Sequence, residues 1–93
     1  MQGKSANNNI DILIKTFGII VRRHRLSQGK SIYKISAEAS LSKATWREIE
    51  CGISNFGFVN LWKIAEGLDI TPAKLLEELS AELGAGFTLS DVD

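Results

Sequence analysis

Cysteine, proline and histidine each occur once in this 93-residue chain, and its formal charges cancel to zero. The lone cysteine, Cys51, rules out an intramolecular disulfide and a multi-cysteine metal site, and fits a reducing cytoplasm. The lone histidine, His24, leaves any histidine-based metal site or catalytic triad without a second member. No segment alternates apolar and polar residues over a useful length, so strands are not expected. The apolar run from Ile10 to Val21 is broken by Asp11, Lys15 and Thr16 and is too short to span a bilayer. Residues Met1 to Asn9 lack the apolar stretch of a signal peptide. Paired carboxylates, a nucleophile–base set and a phosphate-cradling glycine loop are also missing, so neither enzyme activity nor a cofactor is expected.

What remains is a globular composition, 44% hydrophobic with a single proline. The length sets one domain. A domain this small has a thin core, and pairing with a second copy would bury more apolar surface. The charge is zero in total but not in distribution. Lys15 to Arg47 hold eight basic residues and one acid, a net of +7, while Glu48 to Asp93 hold two lysines and nine acids, a net of −7. Such asymmetry predicts a basic face suited to phosphate and an acidic remainder.

Residues 1–8 read as a flexible polar tail, 9–83 as the folded domain and 84–93 as an acidic tail. Asn9 is the expected cap of a first helix, with Asp11 near its positive end. Ile10, Leu13, Ile14, Phe17, Ile20 or Val21, and His24 follow helical spacing, and Gly29 ends that helix. Ser31 caps a second helix with Ile32, Ile35 and Ala39 inward. Ser40-Leu41 is a turn, and Ser42 caps a third helix closed by Gly52, with Trp46 and Ile49 facing the core. Gly57 opens a fourth helix with an apolar stripe through Leu61, Trp62, Ile64, Ala65 and Leu68. Thr71-Pro72 pairs a cap with a proline at the first helical position and starts a fifth. Leu75, Leu76, Leu79 and Leu83 form its apolar face. The expectation is an all-α, five-helix domain.

Two serine-capped helices joined by a tight turn have the layout of a helix-turn-helix, whose second helix enters the DNA major groove. From Phe17 to Leu76 the sequence resembles the Cro/lambda-repressor-type helix-turn-helix family. The resemblance rests on an ordered set: Phe17-Gly18, Val21-Arg22-x-x-Arg25, Gly29, Ser31, Ile35-Ser36 and Leu41-Ser42, then Ile49-Glu50-x-Gly52, Asn55 and Leu61-x-x-Ile64-Ala65-x-x-Leu68. Four positions depart from it. Ile32 replaces the glutamine that braces the recognition helix, Ser40 the turn glycine, Trp46 a β-branched core residue and Phe56 a proline. Restriction–modification controllers, phage repressors and antitoxin-type regulators are among the family's small members. The extended first helix and short last helix are most similar to the controller group.

The resemblance implies a lambda-repressor-like fold and binding to double-stranded DNA. It implies base reading by Lys43, Ala44 and Thr45, with Arg47 and Glu48 one turn on. The residue types suit this: Lys43 or Arg47 donates to guanine O6 and N7, Glu48 accepts from cytosine N4, and the Ala44 or Thr45 methyl meets a thymine methyl. Phosphate contacts are expected at Ser31, where helix amides point outward, and at Arg22, Lys30, Lys34 and Asn55. Arg25 and Glu50 match the family's buried ion pair. Phe56, Phe58, Leu75, Leu76, Leu79 and Leu83 are the expected dimer interface. The functional expectation is a cytoplasmic homodimeric transcription regulator on a pseudo-palindromic operator, read through helix 43–50. The alternative is an antitoxin-type protein-interaction module with weak DNA affinity.

Overall fold

The computed structural model describes residues 5–90 and is all-α among them. Five helices follow in order: α1 Ser5–Ser27, α2 Ile32–Glu38, α3 Lys43–Cys51, α4 Phe58–Gly67 and α5 Pro72–Leu83. The helix α1 starts earlier than expected. Asn9 therefore lies inside it rather than capping it, and Asp11 is past its first turn. The Asn9 side-chain amide instead donates to the Thr88 carbonyl at 2.7 Å, tying the start of α1 to the segment after α5. Of the expected tails, 1–4 and 91–93 lie outside the described residues.

The caps form as the residue types dictate. The hydroxyls of Ser31, Ser42 and Thr71 each accept from a backbone N–H three residues on, and Pro72 follows Thr71 at the first helical position. Gly57 caps α4 without a side-chain bond. The α2–α3 turn runs through Ser40 at φ 58, the left-handed conformation that its substitution for glycine requires. Gly52 ends α3 at φ 72.

The core is built mainly from one face of each helix. Phe17, Ile20 and Val21 of α1 meet Ile35 of α2, Trp46 and Ile49 of α3, Ile64 and Leu68 of α4, and Leu75 of α5. The long α1 packs against α3 and α5, α2 against α3 and α4, and α4 against α5. Gly18 explains the apolar-glycine pair in the sequence. A Cβ there would collide with the Ile49 carbonyl oxygen and lie 2.9 Å from that of Glu50, so only glycine lets α1 come this close to α3.

Several expected core or interface assignments change. Trp62, placed on the apolar stripe of α4, is 50% exposed. Leu75, expected at a dimer interface, is fully buried in its own core, and Leu79 nearly so. The reason is the helical period: α5 must cover the open side of α1 and α4, and that uses Leu75 and Leu79. Phe56 is also occupied within its own chain, half-buried with its ring centroid 5.0 Å from that of Phe17. Leu83 is half-buried against the core. Only Phe58 and Leu76 of the expected interface set are exposed.

Candidate nucleic-acid interface

The helix α3 is nine residues long and sits with Trp46 and Ile49 fully inside. With those two turned inward, the helical period leaves Ala44, Arg47, Glu48 and Cys51 on one exposed face. They line a shallow depression of about 220 Å³ with Ile53 at its end. Lys43, the first helical residue, is exposed at the leading end of the same helix. The structure thus brings four of the five expected base-reading residues, Lys43, Ala44, Arg47 and Glu48, to an accessible surface. The fifth, Thr45, is half-buried, and its hydroxyl is engaged with Ser42 at 2.8 Å.

What holds this helix is the pair expected from the sequence, with a third member. Arg25 Nε donates to Glu50 Oε2 at 2.6 Å and its Nη2 to Oε1 at 3.0 Å, a two-pronged contact. Arg25 Nη1 donates to the Lys30 carbonyl at 2.9 Å. The Trp46 indole Nε1 donates to Glu50 Oε2 at 2.6 Å. The two charged side chains are 9% and 7% exposed. The hydrogen bond from Arg25 to Glu50 raises the guanidinium above its ordinary pKa, against the opposing effect of burial. Trp46 is therefore more than a larger core residue: its indole completes a buried polar network that joins α1, the start of α2 and α3. The i, i+4 spacing of Trp46 and Glu50 was the available signal for this contact.

The expected phosphate-binding residues divide. Ser31 is exposed at the start of α2 and serves as its cap. Arg22 is exposed and makes no ion pair among the described residues. Lys30 and Lys34 are not free. Both reach Glu38, at 2.6 and 3.2 Å, and hold its carboxyl below the usual range, Lys30 first and Lys34 next. Asn55 is exposed and, with Phe56, lines an apolar cleft walled by α1, α4 and α5 rather than by α3. His24 bonds to Glu78 of α5 at 2.8 Å, and Arg23 lies 3.7 Å from Glu82. The acidic α5 thus answers part of the positive charge of α1. Lys43 and Arg47 on the exposed side of α3, and Arg22 on α1, make no ion pair among the described residues.

Two further exposed residues at this surface carry no signal in the sequence pattern. Ile53 ends the α3 depression. Tyr33, on the outer side of α2, places its ring under the Lys43 ammonium, 5.4 Å from ring centroid to Nζ.

No family model matches the chain, and no curated protein does. Solved structures do. The restriction–modification controller protein C.AhdI from Aeromonas hydrophila is 31% identical, with a TM-score of 0.64 over 67% of this chain and 94% of that one. The wild-type controller protein C.Esp1396I is 21% identical, with a TM-score of 0.67 over 72% and 87%. The clp gene regulator ClgR from C. glutamicum is 19% identical, with a TM-score of 0.69 over 77% and 94%. The last two likenesses show the same fold. With the capped helix pair, the left-handed turn at Ser40 and the Arg25–Glu50 pair in place, the chain belongs to the helix-turn-helix DNA-binding family that includes the restriction–modification controller proteins.

Proposed function

We propose that this protein is a transcription regulator that binds its operator as a homodimer, with α3 of each protomer in successive major grooves about one helical turn apart. The observation that carries the reading is the α3 surface. A buried polar network fixes the helix from behind, and unpaired Lys43 and Arg47 stand on its accessible side with Ala44 and Glu48. Fixing the helix keeps base-contacting side chains in register, and Arg22 and Ser31 position the domain on the backbone. The likeness to C.AhdI supports the controller class in particular, acting in the cytoplasm.

The second protomer has a surface to meet. Phe58 is 74% exposed and Leu76 44%, and Val59 and Trp62 lie beside Phe58 on α4. The rings of Phe58 and Trp62 are 6.3 Å apart. Next to them runs an apolar cleft of about 280 Å³, with Leu13, Phe17, Phe56, Leu61 and Leu76 among its walls. A self-complementary contact through α4 and α5 covers this patch twice over with one two-fold axis.

Selection of bound sequences from a random duplex pool tests the reading. A palindromic consensus is expected, lost in the Lys43→Ala/Arg47→Ala double variant. A folded protein that enriches nothing at low salt would overturn it. The exposed Phe58, Val59 and Trp62 favour one other reading, a module that binds a protein partner. Salt separates the two, because phosphate-driven binding weakens by about 0.9 in log K per phosphate for each unit of log salt.

A further inference from the structure

We infer that Tyr33 is a positioning residue for base recognition, its ring serving as the platform that aims Lys43 into the major groove. The inference rests on the DNA-reading function proposed above and assigns part of its specificity to a residue outside α3. The family's brace for the recognition helix is a polar residue at the start of helix two. Here that position is Ile32, half-buried and packed against the core, with no polar group to offer Lys43. The next residue, Tyr33, is 70% exposed, an unusual place for an aromatic ring without a task. Lys43 Nζ lies 5.4 Å from its centroid, within the distance at which an aromatic face attracts an ammonium. Ser31 and Ser42 cap α2 and α3, which fixes where the two helices start relative to the turn between them.

Lysine needs such a platform more than arginine does. Its ammonium is a point charge on a flexible four-carbon stem, so bringing it to a base edge costs side-chain entropy. A ring that already holds the ammonium removes part of that cost before DNA arrives. No acid among the described residues pairs with Lys43, so the ring is its sole attractive partner there. The contact uses the ring face and leaves the tyrosine hydroxyl out.

The test compares Tyr33→Phe with Tyr33→Leu by selection from the same duplex pool, alone and with Lys43→Ala. Tyr33→Phe keeps the platform and should keep the wild-type profile. Tyr33→Leu should lower the preference about twofold to fivefold, chiefly at the base that Lys43→Ala also relaxes, and should add nothing in the Lys43→Ala background. In the free protein, the ring-current shift of the Lys43 side-chain protons should persist in Tyr33→Phe and vanish in Tyr33→Leu. Equal losses in Phe and Leu would overturn the inference in favour of a direct contact by the hydroxyl. A Leu variant with an unchanged profile, or one weakened evenly over all sequences, would also overturn it. A wild-type protein without any consensus overturns the DNA-reading function itself, which separates that failure from this one.

Discussion

Glu50 concentrates more of the fold than any other single side chain. It accepts from Arg25 twice and from the Trp46 indole, so three donors from two helices converge on one nearly buried carboxylate. Replacing it by glutamine keeps the shape but leaves the Arg25 guanidinium buried without its counter-charge. Glu50→Gln should therefore cost on the order of 3–5 kcal/mol, a fall in Tm of more than about 10 °C by thermal melting. An unchanged Tm would mean the pair contributes no stability. Glu38 is the opposite case, fully at the surface. Its carboxyl is held below the ordinary value of 4.5 by Lys30 and, less, by Lys34. A depressed carboxylate contributes stability above its unfolded pKa and loses it as pH falls through the folded one. The contribution is thus complete at neutral pH and goes only in acid below 4.5. Carboxyl NMR titration should show that Lys30→Met returns Glu38 toward its ordinary value further than Lys34→Met does.

At the scale of elements, the helix-turn-helix depends on a turn and a crossing. The turn holds Ser40 at φ 58, where a side chain is strained and a β-branched one far more so. Ser40→Gly should be neutral or stabilising by up to about 1 kcal/mol, whereas Ser40→Val should destabilise by more than that in chemical denaturation. The crossing of α1 over α3 depends on Gly18. The methyl of Gly18→Ala meets the Ile49 and Glu50 carbonyl oxygens, backbone atoms that cannot swing aside. The variant should lose about 1–3 kcal/mol and also bind DNA more weakly, because α3 has to shift to make room. The capped boundaries were legible in the residues: Ser31, Ser42 and Thr71 sit where the side chain can reach the third amide on. The start of α1 was not. Asn9 has the chemistry of a cap, but the helix continues back to Ser5 and the Asn9 amide bonds the distant Thr88 carbonyl instead, a contact that no local pattern signals.

Across the whole molecule, charge and apolar surface are allocated differently from their order in the sequence. The basic half and acidic half do not form two separate faces. The helix α5 brings Glu78 and Glu82 to His24 and Arg23, and Glu38 takes up Lys30 and Lys34 within the basic half itself. Arg22, Lys43 and Arg47 are among the cations that make no ion pair among the described residues. Glu38→Gln should release two lysines toward phosphate, tightening binding and steepening the salt slope by up to about two units per protomer. Nothing in that variant should alter base preference, since phosphate contacts carry none. Part of the apolar surplus lies on α4, where Trp62 and Phe58 are left outside. Sedimentation of Trp62→Asp or Phe58→Glu should show a monomer that remains folded and has lost the palindromic consensus. A dimer unaffected by both would place the two-fold axis elsewhere.

Local chemistry was enough to determine where most helices begin and end, which residues bond near their own position, and which family the ordered motif resembles. The first two depend on side chains within about one helical turn of each other, and the third on their order from Phe17 to Leu76, so order along the chain carries the information. Tertiary packing decided which residues of an apolar stripe are used. Leu75 and Trp62 both lie on expected apolar stripes, but Leu75 of α5 packs into the shared core while Trp62 of α4 stays half exposed. Packing also decided which cations are free, because pairs such as Arg23–Glu82 join α1 to α5, far apart along the chain. It set Tyr33 beneath Lys43 across a turn whose angle depends on one strained serine.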